Sequence, residues 1–150
     1  MTDTSYDTDF YQWTQAQAAA LRAKQWPALD VDHLAEEIES LGASDRRAIR
    51  SYLRVLTQHL LKWAYQPQER ALQGAGWRGS IRHARQEIEL ILDDSPSLRR
   101  FLPEALLWSY RHGRVEAADE TALPLAAFPE TCPWSPEQLL DEDFWPEEGR

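Results

Sequence analysis

Two apolar seams within one interval of this chain constrain it to a helical hairpin. Ile49, Leu53, Leu56, Leu60 and Trp63 recur at spacings of four, three, four and three, and Trp77, Ile81, Ala84, Ile88 and Ile91 repeat that pattern. A period near 3.5 puts each set on one side of a helix. Ser44 is placed to cap the first helix, which runs to about Tyr65 before Pro67 stops it; the second spans about 77–93. Residues 66–76, with Gly74 and Gly76 near the end, read as a loop short enough to make the two helices antiparallel neighbours.

Further helices flank the hairpin. Asp7 or Asp9 can cap one over about 10–24, with Phe10, Trp13, Ala20 and Leu21 on its apolar side, and Trp26-Pro27 ends it because a residue before proline is pushed out of the α region. Asp30 caps another to about Leu41, whose stripe is Val31, Leu34, Ile38 and Leu41, with Gly42 placed to terminate it in a left-handed turn. On that wheel Glu36 points away from the core and Glu37 flanks it. Ser95-Pro96 starts a last long helix over about 97–119, where Pro103 predicts a kink or a split-off first turn. From Thr121 the apolar residues Leu123, Phe128, Cys132, Trp134 and Trp145 are each followed or flanked by proline, so this segment lies extended. Ser135-Pro136-Glu137-Gln138 has capping-box spacing for a short helix through Leu140. The expected fold is all-α: one domain over 1–150, a bundle of about five helices over 9–119 with a proline-rich segment, 120–150, wrapped over it.

Charge is segregated. The formal net charge is −9. Residues 1–45 hold nine acids against Arg22 and Lys24, residues 46–86 hold nine bases against Glu69 alone, and residues 116–150 hold ten acids against one arginine. Acidic ends docking on a basic centre explain this pattern; so does a basic face for an anionic partner, masked by the tail. The single cysteine, Cys132, leaves no internal disulfide framework and no multi-cysteine zinc site. The first nine residues are polar and acidic, unlike a secretory signal, and no run reaches membrane-span length, so the expected address is the cytoplasm, with no membrane partner.

Taken in order, several short pieces resemble one family. They are 6–10 (Tyr-Asp-Thr-Asp-Phe) with Trp13; 34–42, from Leu34 through Glu36-Glu37-Ile38-Glu39 to Gly42; His59-Leu60-Leu61-Lys62-Trp63 before Gln66-Pro67; Trp77-Arg78 with Ser80-Ile81-Arg82 and Arg85; 94–99; Phe128 through Trp134; and Leu139 through Phe144. Together they span about 6–147, and in this order the chain resembles the bacterial family catalogued as domain of unknown function 29. The resemblance implies a small all-helical protein; it implies no activity and assigns no functional residues.

Two helix edges remain as candidate sites. One is polar: Tyr52 and His59 on the third helix, His83 and Glu87 on the fourth, with Glu37 on the second. Histidines and carboxylates from facing helices build metal sites in bundles, yet the usual Glu-x-x-His pair is missing, so no metal and no cofactor is predicted and a metal-dependent activity is an alternative only. The other edge is basic: Arg46, Arg47, Arg50, Arg54, Arg78, Arg82 and Arg85, a candidate nucleic-acid or other anion-binding face. Against it stand a sequence pI near 4.9 and the acidic flanks. No nucleophile–base pair or phosphate loop marks a catalytic centre, and no catalytic residue is assigned. The favoured function is a non-enzymatic protein-interaction module, its partner another protein or a second copy, with Trp134, Phe144 and Trp145 as anchors for a homodimer if the tail packs on a neighbour.

Overall fold

A computed structural model describes residues 5–147. Asp3 of the acidic head and Glu148 and Arg150 of the tail lie outside the described residues. The fold is all-α: α1 (Ser5–Thr8), α2 (Phe10–Arg22), α3 (Val31–Tyr65), α4 (Pro67–Asp94), α5 (Leu102–Thr121) and α6 (Pro136–Leu140), with 3-10 turns at Trp26–Ala28, Pro96–Phe101 and Leu125–Ala127. The chain forms two compact units, up to Ser44 and from Asp45 onward, and their boundary falls inside α3.

In the first unit Asp9 caps α2, its carboxylate accepting from the Gln12 N–H at 3.0 Å. Lys24, at φ 56°, ends that helix in a left-handed conformation. The buried face of α2 is Trp13, Gln17 and Ala20, whereas Phe10 and Leu21, expected to face inward, are exposed. The expected break at Gly42 and restart at Ser44 do not occur: α3 runs through both. A glycine in a helix interior costs only about 1 kcal/mol, and Gly42 keeps an ordinary helical φ with open space around it.

The second unit holds the predicted core. Ile49, Leu53, Leu56 and Leu60 of α3 and Ile81, Ala84 and Ile88 of α4 are all buried, joined by Leu102, Ala105, Leu106 and Tyr110 of α5. The hairpin connection is a single residue, Gln66, not the expected loop; 67–76 is already helix. Pro67 ends α3 by restricting Gln66, and it also occupies the first position of α4, where its missing N–H costs nothing. Arg70 makes so tight a turn workable by donating from Nε and Nη2 to the Trp63 carbonyl at 3.0 and 2.5 Å, one of the acceptors a helix end leaves open. Gly74 packs beneath the Trp63 ring. Pro103 splits rather than kinks the last long helix: 96–101 is a 3-10 segment and α5 starts at Leu102. Gly113 brings α5 close to α3; a methyl there would stand 2.5 Å from Thr57 Oγ1 and 2.8 Å from the Arg54 carbonyl.

The tail packs on its own unit. Phe128, Trp134, Leu139 and Leu140 are buried. Tyr110 donates its hydroxyl to the Pro129 carbonyl at 2.5 Å, and Arg114 donates to Phe128 O at 3.0 Å. The predicted capping box forms in full at Ser135 and Gln138.

Candidate protein-interaction surface

In the first unit the face of α3 that meets α1 and α2 is polar. Tyr6 stacks on His33 with ring centres 3.8 Å apart and donates its hydroxyl to Glu37 Oε1 at 2.6 Å. Trp13 packs edge-on against Tyr6 and donates its indole N–H to Asp30 Oδ2 at 3.2 Å. Asp30 holds His33 Nδ1 at 2.6 Å and gives its own backbone N–H to the buried Gln17 amide at 2.7 Å. The ion pair with Asp30 raises the His33 pKa and lowers that of Asp30, each against a smaller opposing effect of burial. The Glu37 carboxylate pushes the Tyr6 phenol up to about 12.

That arrangement turns the apolar stripe outward. Of the stripe read from the sequence as core, Val31, Ile38 and Leu41 are 64%, 67% and 70% exposed, and Leu34 is half-buried. The buried Trp13 indole finds its partner in the Asp30 carboxylate and the Tyr6 hydroxyl finds its own in Glu37, which aliphatic side chains could not supply, while the buried Gln17 amide is met by the Asp30 backbone N–H. Ala35 and Gly42, also exposed, adjoin Val31 and Ile38 at helical spacing. Asp32 and Glu39 lie on one flank of the stripe and Glu37 on the other, with Glu36 farther round. Residues 31–44 contain no Lys or Arg. Asp32, Glu36 and Glu39 make no ion pair among the described residues.

The residues of the expected polar edge are dispersed. Tyr52, His83 and Glu87 do come together in the second unit: the Tyr52 and His83 rings are 6.0 Å apart, and the Tyr52 hydroxyl donates to Glu87 Oε2 at 3.5 Å. His59 instead gives its Nδ1–H to the Val55 carbonyl of its own helix at 2.8 Å, and burial lowers its pKa. Glu37 belongs to the first unit and is taken by Tyr6. No group of three or more His, Cys, Asp or Glu among the described residues is arranged to hold a metal ion.

The arginines are dispersed as well. Arg85, expected on an open face, is fully buried and donates to the Leu139 and Phe144 carbonyls at 2.7 and 2.8 Å. Arg78 lies over Trp63 and Trp145, Arg46 and Arg50 lie over Phe101, and Arg54 pairs with Glu116 at 3.5 Å. Among the described residues, only Arg47 and Arg82 of the seven have exposed side chains with no hydrogen bond, ion pair or ring contact. An apolar recess of about 440 Å³ beside α5, lined in part by Leu106, Leu107, Tyr110 and Cys132, has no activated nucleophile, since burial pushes the Cys132 thiol up to about 11.

The model of the family described as Domain of unknown function DUF29 matches residues 5–145. The chain belongs to that family. No curated protein and no solved structure matches it. In this DUF29 chain sequence patterning passed over Gln17, and it read Asp30 as a helix cap and not as the residue that joins Trp13 and His33. The signal for Gln17 was the spacing Trp13, Gln17, Ala20, which outlines a helix face containing a polar residue. Helical periodicity scores apolar residues and so discounts such a face. No helix among the described residues is long and apolar enough to cross a membrane.

Proposed function

We propose that the protein is a non-enzymatic interaction module of the bacterial cytoplasm, which holds another protein through the outward stripe of α3. The observation that carries this reading is the exposure of Val31, Ile38 and Leu41 along one helix face whose adjoining side is fixed by the Tyr6, Trp13, Asp30 and His33 cluster. Large aliphatic side chains aligned on a pre-ordered helix bind at little ordering cost. The tail aromatics make contacts within the chain: Trp134 is buried, and Trp145 packs against Trp63 with ring centres 4.8 Å apart.

The test is affinity purification of the tagged full chain from its host, wild type beside an Ile38→Asp/Leu41→Asp double variant, followed by native mass spectrometry. A polypeptide held in fixed stoichiometry by the wild type and lost from the variant is expected. The same set of bound species on both would sink the reading.

A further inference from the structure

Charge decides what kind of polypeptide suits the stripe. We infer that it takes an amphipathic helix of another protein, with aliphatic residues at helical spacing and Lys or Arg on the flank that meets Asp32 and Glu39. This rests on the interaction-module reading and names the partner's chemistry. From Val31 to Leu41 the stripe rises about 15 Å, at about 1.5 Å per residue. That length matches roughly three turns of a partner helix, read as anchors at i, i+3 or i+4, and i+7. Ala35 and Gly42 leave low ground beside the larger side chains, and nothing stands within 4 Å of the position a Cβ would take at Gly42. A partner helix can therefore seat closely, its own anchors lying over Ala35 and Gly42.

The flank selects sign. Asp32, Glu36 and Glu39 are exposed, and no Lys or Arg lies between Gln25 and Asp45. Two copies docked antiparallel, stripe to stripe, would bring the Asp32 and Glu39 flank of one against that of the other, and 31–44 carries no Lys or Arg to relieve it. Like charges facing one another across an interface oppose that pairing, whereas a Lys or Arg flank on the incoming helix matches it and speeds encounter.

The test uses the full chain and three labelled synthetic peptides of equal length. One has Leu and Ile at heptad positions a and d with Lys at e and g. The second has Glu in place of Lys. The third scrambles the first so that its composition is kept and its periodicity lost. Fluorescence anisotropy is expected to show saturable binding of the Lys peptide, at least about tenfold tighter than either control, a difference of about 1.4 kcal/mol. Added salt should weaken it. Ile38→Asp should weaken it about tenfold or more, a change of about 1.4 kcal/mol, with an unchanged circular dichroism spectrum. Asp32→Lys/Glu39→Lys should shift preference toward the Glu peptide. Equal binding of the Lys and scrambled peptides, or Lys-peptide binding untouched by Ile38→Asp, would overturn the inference. If neither peptide binds but the chain self-associates and Ile38→Asp makes it monomeric, the occupant is a second copy: this inference falls and the interaction reading stands. If neither peptide binds and Ile38→Asp changes neither mass nor captured partner, both fall.

Discussion

His33 and Asp30 form the only ion pair among the described residues of the first unit, and its pH dependence follows from the direction of each shift. Asp30 raises the His33 pKa in the folded chain, and Glu36 and Asp7 add to the effect. The stabilisation from His33 is therefore fully present below the ordinary histidine value of about 6.5, and it is lost as pH climbs through the higher folded value. Asp30 is shifted the other way, so its contribution is present above about 3.9 and is lost as pH falls through its depressed value. Between those limits α1, α2 and the start of α3 are held together best. An NMR titration should place the His33 pKa above the ordinary histidine value, and Asp30→Asn should bring it back down. A His33 titration indifferent to Asp30→Asn would show that Asp30 does not set it.

At the level of elements, the tail is held to α4 by a buried cation. Arg85 reaches two carbonyls of the tail, Leu139 and Phe144, and lies under Trp145 at 5.3 Å from the ring centre. Burial lowers its pKa, and the charges of Asp141 and Glu142 partly offset this. Arg85→Met would fill much of the volume and leave both carbonyls without their donor. We expect a loss of about 2–4 kcal/mol in urea unfolding of the second unit, and faster amide exchange through α6. Unchanged exchange there would mean that Phe128, Trp134 and Leu139 hold the tail by packing alone. The same arginine shows why a heptad edge read from sequence is not a surface. Arg78 and Arg85 fall where the tail crosses α4, while Arg50 and Arg54 fall where α5 meets α3.

Across the whole molecule, the basic centre is largely used internally. Most of its guanidinium groups lie over aromatic rings or bond carbonyls and carboxylates of the chain itself, and the formal net charge of the chain is −9. The full chain should pass through a heparin column at physiological ionic strength; retention there, lost as salt is raised, would restore the nucleic-acid reading. Periodicity by itself determined the helical class, the core seam from Ile49 to Trp63 with its partner from Trp77 to Ile88, the caps at Asp9 and Ser135, and the proline-anchored tail. Those features rest on local backbone chemistry or on apolar residues with no alternative to burial. Tertiary structure alone decided that Gly42 stays helical, that nearly three helical turns replace the expected loop after Gln66, and that Arg85 goes inside. Above all it decided which face of α3 turns outward. Packing Tyr6 and Trp13 called for polar partners, and turning Asp30, His33 and Glu37 toward them leaves Val31, Ile38 and Leu41 exposed.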